Sequence, residues 1–287
     1  MKELRNNATR LITSAVGVAI IIPCFIFMNA AKGLPLTILV SLISLLAVYE
    51  VIKAVGCKNN VIIVLSTVTA AAIPFLFNFD ISVPFMETAV IYSIVYFILM
   101  VTMHKKTTFS DTVTALFATA AIPCAISTLI EFRDLYIDYP DKYDKAAGVF
   151  FILFGMFSAW ITDAFAYIVG RRIGKHKLCP EISPKKSVEG AVGGVLGAAV
   201  FNLILFFVFD YFFFTTHSIK WWEIAIISVI LSIISMFGDL SASIIKRNHG
   251  IKDFGKILPG HGGVMDRFDS CLFVLPSLYA AVFFLNF

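Results

Sequence analysis

Long apolar blocks constrain this chain more than any other feature of its sequence. Nine segments approach the roughly 20 mostly apolar residues that a helix needs to cross a bilayer. They are residues 11–28, 34–52, 61–78, 86–103, 112–130, 146–169, 189–209, 222–245 and 268–287. The chain is 59% apolar and only 15% charged, which excludes a soluble globular domain and a disordered chain. The sequence therefore predicts an all-α polytopic integral membrane protein with about nine transmembrane helices.

The distribution of Lys and Arg predicts how these helices are oriented, because cytosolic loops are enriched in both residues. With a cytosolic N-terminus, eighteen of the 23 Lys and Arg residues fall on the cytosolic side. The five on the outer side are Lys32, Arg133, Lys142, Lys145 and Lys220. The first apolar segment is too long for the core of a typical signal peptide, so we expect an uncleaved anchor. The predicted topology has the N-terminus in the cytosol and the C-terminus outside.

The chemically notable residues are concentrated in the second half of the chain. Residues 1–145 are predicted to form five transmembrane helices with few polar side chains. Residues 146–287 are predicted to form a catalytic region with two cytosolic loops, the first loop (171–189) and the second loop (246–267). A run of glycines follows the first loop at Gly190, Gly193, Gly194 and Gly197. Their spacing favours close helix packing over a phosphate-binding glycine loop.

Two carboxylates lie well inside predicted transmembrane helices rather than at their ends, where an ionisable residue is costly and often functional. Asp163 precedes Arg171 by eight residues, and Asp239 precedes Lys246 by seven. At a rise of about 1.5 Å per residue, both lie about 10–12 Å below the cytosolic helix ends. Solitary acids bonded to neighbouring helices would explain them, but their matched depth beside two basic loops favours a shared polar cavity.

The second loop combines acidic, basic and glycine residues. Asp266 and Asp269 are three residues apart at a predicted helix start, so both carboxylates are expected on one helix face. Such oxygen ligands suit Mg²⁺, which usually binds one or two carboxylates together with phosphates and water. The neighbouring Lys and Arg residues provide the positive charge that a polyphosphate requires. A role in topology alone would explain the cations but not the aspartates among them.

The first loop contains a shorter basic motif. Pro184 is expected to form a rigid turn that presents Lys185 and Lys186 at the membrane surface. Two interpretations remain open for these lysines, a patch for lipid headgroups and a site for a substrate phosphate.

The segment from Ser243 to Asp269 reads S-x-x-K-R-x4-K-D-x-G-x2-L-P-x-H-G-G-V-x-D-R-F-D. This pattern resembles the signature of the phosphatidate cytidylyltransferase family. Thr162-Asp163-Ala164-Phe165-Ala166-Tyr167, Gly170-Arg171 and Ser183-Pro184-Lys185-Lys186 also resemble that family, so the likeness covers roughly residues 158–270. It implies transfer of a cytidylyl group from CTP to phosphatidic acid, which yields CDP-diacylglycerol and pyrophosphate. It further implies Mg²⁺ as cofactor (one or two ions, with a monovalent cation left open) and a cytosolic site in a bacterial-type inner membrane. No nucleic-acid partner is expected, and a homodimer is left open.

The resemblance also assigns roles to individual residues. The implied metal ligands are Asp239, Asp266 and Asp269, with Asp163 supporting them indirectly. The expected catalytic residues are Lys252, Asp253, His261, Asp266, Arg267 and Asp269. The expected substrate-binding residues are Ser183, Lys185, Lys186, Ser243, Lys246, Arg247, Lys256, Gly262 and Gly263. For His261, donation to a phosphate and a hydrogen bond that fixes the loop both remain open.

Two other functions compete with this one. A CTP-dependent polyprenol or phytol kinase would transfer the γ-phosphate of CTP to a lipid alcohol. A cation-coupled transporter would use Asp163 and Asp239 as ion sites, but its binding site is expected near the bilayer midplane rather than in a loop at one face.

Overall fold

Helices account for most of the described residues in the computed structural model, which describes residues 13, 15–17, 19–81, 83–216, 219–260 and 262–284. We number the helices α1 (Leu34–Ala54), α2 (Asn60–Asn78), α3 (Phe85–Thr102), α4 (Phe109–Asp138), α5 (Lys145–Ile173), α6 (Val188–Phe212), α7 (Trp221–Asn248), α8 (Met265–Phe268) and α9 (Cys271–Phe284). A short 3-10 helix, Ala30–Gly33, precedes α1. The strands β1 (Lys177–Cys179) and β2 (Ser183–Ser187) lie between α5 and α6.

Seven helices in the described part of the chain are long and apolar enough to cross a membrane. They are Ala30–Ala54, Asn60–Asn78, Phe109–Asp138, Lys145–Ile173, Val188–Phe212, Trp221–Asn248 and Met265–Phe284. Two shorter apolar helices, Ala15–Ile26 and Met86–Thr102, correspond to the first and fourth predicted segments. The all-α polytopic membrane fold is therefore confirmed. The number nine and the cytosolic N-terminus stay predictions, and Lys2, Arg5 and Arg10 lie outside the described residues.

The chain forms two compact units. The first unit comprises Met1–Ile130 and Asn248–Arg267, and the second comprises Glu131–Arg247 and Phe268–Phe287. The division predicted after residue 145 rests on where the chemically notable residues lie, and it stays a prediction.

In the first unit, polar side chains join neighbouring helices. The Ser41 hydroxyl on α1 donates to the Ala71 carbonyl on α2 at 2.7 Å. Asn59 begins α2 because its side chain accepts a hydrogen bond from the Val61 N–H at 2.9 Å. Its amide group also donates to the Thr107 hydroxyl at 2.7 Å, which fixes the segment before α4.

In the second unit, the predicted role of the glycine run in helix packing is confirmed. A Cβ atom on Gly190 would lie 2.7 Å from the Ala166 carbonyl oxygen on α5, and one on Gly194 would lie 2.7 Å from the Thr162 carbonyl oxygen. No side chain fits at these distances, so the glycines allow α5 and α6 to pack closely. α5 carries Asp163 and α6 directly follows the first loop.

A buried polar network connects three helices of the second unit. The Asn202 amide on α6 donates to Ser158 on α5 at 2.9 Å and to Ser228 on α7 at 2.8 Å. The Thr162 hydroxyl donates to Ser232 at 3.0 Å. Hydrogen bonds between transmembrane helices contribute about 0.6 kcal/mol each on average. The network therefore helps to fix the register of the helices that carry Asp163 and Asp239.

The first loop differs from the prediction at Pro184. The structure forms an antiparallel β-hairpin in which Lys177 pairs with Ser187 and Cys179 with Ser183. The turn lies at residues 180–182, and Pro184 lies within β2. The predicted turn at Pro184 is wrong, because proline is compatible with an edge strand of a two-stranded sheet. Ser187 then begins α6 by accepting a hydrogen bond from the Gly190 N–H at 3.2 Å.

Asp266 and Asp269 do not lie in one uninterrupted helix, and the placement of both carboxylates on one face stays a prediction. α8 ends at Phe268, and Asp269 and Ser270 form a turn before α9 begins at Cys271. The Asp269 side chain accepts a hydrogen bond from the Ser270 N–H at 2.8 Å. Such a local bond between an aspartate and its own backbone competes with helix continuation.

Asp144 joins the start of α5 to the segment after α6. Its carboxylate accepts hydrogen bonds from the Ala147 N–H at 2.8 Å and from the Thr215 N–H and hydroxyl at 2.6 and 2.9 Å. Burial raises the pKa of this carboxyl group, but the bonds from Thr215 and Ala147 outweigh burial and hold the pKa below its usual value of 3.8.

This pKa shift predicts how stability depends on pH. A carboxylate whose pKa is lower in the folded state contributes its full stabilisation at pH values above its usual pKa. This stabilisation is lost as the pH falls towards the folded-state pKa. The melting temperature in detergent should therefore fall less between about pH 5 and pH 3 in Asp144→Asn than in the wild type. Asp141→Asn, which removes an exposed neighbouring carboxylate, is the control. Parallel pH profiles for wild type and Asp144→Asn would contradict this role.

Candidate functional site

In the second unit, Lys186 and Asp239 form an ion pair. Lys186 lies at the end of β2 and Asp239 lies on α7. Lys185 is exposed, whereas the Lys186 side chain is only 22% exposed. The hairpin thus directs one lysine of the basic motif to a carboxylate within a transmembrane helix.

A second ion pair is more deeply buried. The Lys246 ammonium lies 3.7 Å from the Asp269 carboxylate, and the two side chains are 11% and 9% exposed. The next residue, Ser270, donates from its hydroxyl to the Asp163 carboxylate at 3.4 Å. The turn after α8 therefore brings together residues of α5, α7 and the start of α9. Removing one partner of a buried ion pair leaves the other charge uncompensated, so both members are expected to matter.

The remaining predicted residues of the second unit lie around these pairs. Ser183 begins β2 and pairs with Cys179 across the hairpin. Ser243 is half-buried on α7, and Arg247 is exposed in the last turn of the same helix. Their predicted substrate-binding roles, like that of the exposed Lys185, stay predictions.

The acidic residues of the second unit provide oxygen ligands suited to Mg²⁺. Asp269 lies in the electrostatic field of Asp239 and Asp163, and Lys246 offsets part of the repulsion. Among the described residues, no group of three His, Cys, Asp or Glu side chains is arranged to hold a metal ion by itself. Mg²⁺ commonly binds only one or two carboxylates together with phosphates and water. The donor set fits such an ion once a phosphate substrate supplies further oxygens.

In the first unit, Asp266 organises the second loop. Its Oδ2 atom accepts hydrogen bonds from the Phe254 N–H at 2.9 Å and from the Gly263 N–H at 3.0 Å. Gly262 lies between this carboxylate and Asp253, since a Cβ atom on Gly262 would lie 3.3 Å from Asp266 Oδ2 and 3.6 Å from Asp253 Oδ1. The positive φ of 85° at Gly262 is the left-handed conformation that favours glycine. Asp253 and Asp266 therefore both lie close to Gly262.

The basic residues of this loop point outward. Lys252, Lys256 and Arg267 are exposed, as is Asp253. This placement leaves the cations accessible to a soluble polyphosphate. His261 lies outside the described residues, so its two interpretations stay open.

Glu50 on α1 also contacts the second loop and is absent from the site residues expected from the sequence. Its side chain is buried, with only 2% of the residue exposed, and it accepts a hydrogen bond from the Met265 N–H at 2.9 Å. An acidic residue in an apolar helix was the available signal, but its position near the helix end and before Lys53 is typical of a solvated residue.

These features define a polytopic membrane protein with paired acidic and basic side chains in and beside its transmembrane helices. The chain belongs to the cytidylyltransferase family, whose sequence profile matches residues 8–285. This match confirms the resemblance inferred from the signature.

Three relatives are phosphatidate cytidylyltransferases of Staphylococcus species. The chain is 48% identical over 134 residues to the protein of Staphylococcus saprophyticus, 44% to that of Staphylococcus haemolyticus and 42% to that of Staphylococcus aureus. In each case the alignment covers 47% of this chain and 49% of the relative. The chain thus matches about half the length of these relatives.

Proposed function

We propose that this protein transfers a cytidylyl group from CTP to phosphatidic acid, with formation of CDP-diacylglycerol and pyrophosphate. The observation that carries the proposal is the 48% identity to a phosphatidate cytidylyltransferase, within a family match over residues 8–285. The signature from Ser243 to Asp269 supports the same assignment.

The proposed reaction requires little acid–base chemistry from the protein. A phosphatidate oxygen is already an anion, so it can attack the α-phosphorus of CTP directly. A new P–O bond forms, the bond from the α-phosphorus to the bridging oxygen breaks, and its electron pair leaves with pyrophosphate. The main obstacle is the repulsion between two anionic substrates together with the charge that develops on pyrophosphate. Positioned cations reduce this barrier.

We assign this neutralisation first to Lys186 and Lys246. Both ammonium groups are held at carboxylates, by Asp239 and by Asp269, so both are oriented before substrate arrives. A phosphate with several oxygens can compete for such a lysine and form stronger charge-assisted bonds. Lys252, Lys256 and Arg267, which are exposed, are proposed to meet the triphosphate from the aqueous side.

Mg²⁺ is the proposed cofactor, with Asp239 and Asp269 as ligands in the second unit. Asp266 remains the third predicted ligand, and Asp163 is proposed to support Asp269 through Ser270. When bound, the ion would neutralise phosphate oxygens and orient the leaving group. The reaction is proposed to occur at the cytosolic face of the inner membrane, where phosphatidic acid is held in lipid and CTP arrives from water.

The position of the label in CTP tests this proposal. Purified protein in phosphatidic acid vesicles with Mg²⁺ should incorporate an α-phosphorus label into lipid and release a γ-phosphorus label as pyrophosphate. Transfer of the γ-label to lipid would instead identify a lipid kinase. Absence of both transfers, with CTP left intact, would overturn the proposal. Omission of Mg²⁺ with excess chelator should abolish incorporation.

A further inference from the structure

A buried carboxylate in the first unit lies outside the residues assigned to the reaction. Glu50 is on α1, one turn before the helix ends at Ala54, and only 2% of the residue is exposed. Its Oε2 atom accepts a hydrogen bond from the Met265 N–H at 2.9 Å, across 215 positions of sequence. A buried acidic side chain costs free energy unless it makes specific contacts, so its persistence in an apolar helix calls for a partner.

The second loop wraps around this carboxylate. Cβ atoms on Gly255 and on Gly263 would both overlap the Glu50 carboxylate, and the three atoms nearest to each belong to Glu50. Neither glycine has a positive φ, so an alanine would be compatible with the backbone at both positions. The glycines are therefore needed for close approach to Glu50 rather than for an unusual conformation.

A second carboxylate holds the same backbone segment. Asp266 accepts hydrogen bonds from the N–H groups of Phe254 and Gly263. Gly263 itself contacts Glu50, and Phe254 directly precedes Gly255, which also contacts Glu50. The loop from residue 254 to residue 265 is thus held by Glu50 and by Asp266. Lys256 lies on its exposed part, and the exposed residues Lys252 and Asp253 directly precede it.

We propose that Glu50 is a positioning residue that holds the second loop in the conformation needed for catalysis. This inference rests on the proposed function, because the loop carries the residues assigned to CTP. Glu50 does not touch the substrate in this proposal. It acts through the backbone of Gly255, Gly263 and Met265, and so determines where Lys252 and Lys256 are presented.

The test combines loss of the carboxylate with a steric probe. Glu50→Ala removes the hydrogen bond to Met265, whereas Gly255→Ala keeps Glu50 and places a methyl group against it. Each is expected to lower turnover about tenfold and to raise the KM for CTP, because the loop cations are displaced. In the double variant the methyl group enters space that Glu50 has left. The second substitution should therefore cost much less in the Glu50→Ala background than in the wild type.

Limited trypsin digestion provides a readout that does not depend on activity. Cleavage after Lys252 and Lys256, followed by mass spectrometry, should be about tenfold faster in Glu50→Ala and in Gly255→Ala. Tyr49→Phe, at the exposed neighbouring position on α1, should behave as wild type. If Glu50→Ala fails to fold, Gly255→Ala and Gly263→Ala still test the contact, since both retain Glu50.

The outcomes separate this inference from the proposed function. Additive effects of Glu50→Ala and Gly255→Ala, or unchanged cleavage at Lys252 and Lys256, would overturn the positioning role while wild-type synthesis of CDP-diacylglycerol continues. An inactive wild type whose loop cleavage responds as expected would overturn the reaction and leave the structural role of Glu50 intact.

Discussion

Asp239→Asn is expected to lower the turnover of CDP-diacylglycerol synthesis by about a hundredfold to a thousandfold, with the protein still folded and inserted. Asparagine has nearly the same shape as aspartate but carries no charge. The substitution removes a proposed ligand of Mg²⁺ and also leaves the Lys186 ammonium without its counter-ion. Both losses act on the same step, the approach of two anionic substrates.

The ion pair provides a control for stability. If the uncompensated Lys186 destabilises Asp239→Asn, the double variant Lys186→Met, Asp239→Asn should recover the melting temperature but not the activity. Glu181→Gln is the matched control, because it also removes one negative charge but lies in the exposed turn of the hairpin. It should retain wild-type turnover. Steady-state assays with each purified variant measure this effect. Wild-type turnover by folded Asp239→Asn would exclude Asp239 from the reaction.

Sequence alone predicted the features that depend on local composition. The apolar blocks gave the transmembrane helices because crossing hydrocarbon demands length and low polarity, which are visible residue by residue. The role of Gly190 and Gly194 followed for a similar reason, since small residues four apart lie on one helix face. The aspartates at 163 and 239 stood out because charge within an apolar block is rare.

The pairing of charges required the fold. Nothing in the sequence distinguishes Lys186 from Lys185 as the partner of Asp239, because the choice depends on the hairpin and on which face of β2 each lysine occupies. The prediction of a turn at Pro184 failed for the same reason. The pairing of Lys246 with Asp269 depends on the turn after α8, which the side chain of Asp269 itself helps to form.

Glu50 marks a different limit of sequence analysis. Its contacts lie more than 200 residues away along the chain, and they are made with backbone atoms that carry no sequence signal. The glycines at 255 and 263 are part of the signature, but the sequence does not show why glycine is needed there. The structure shows that a Cβ atom at either position would overlap the Glu50 carboxylate. Long-range contacts between a side chain and a backbone are therefore the part of such a site that composition and spacing do not reveal.

Asp266 is expected to show two separable effects, one on chemistry and one on loop order. Asp266→Asn should lower turnover by at least about a hundredfold, because it removes a negative charge from a proposed metal ligand. Its side-chain oxygen can still accept the hydrogen bonds from Phe254 and Gly263. The second loop should therefore keep its wild-type resistance to trypsin at Lys252 and Lys256.

Asp266→Ala removes the charge and the acceptor together. The two backbone N–H groups lose their partner, at a cost of about 1–3 kcal/mol for each group left unsatisfied. Turnover should be as low as in Asp266→Asn, whereas cleavage within the loop should become much faster. Equal cleavage in the two variants would contradict the role of Asp266 in ordering the loop. Near wild-type turnover of Asp266→Asn would show that the reaction does not need the charge of Asp266. The role of Asp266 would then be limited to ordering the loop through its contacts with Phe254 and Gly263.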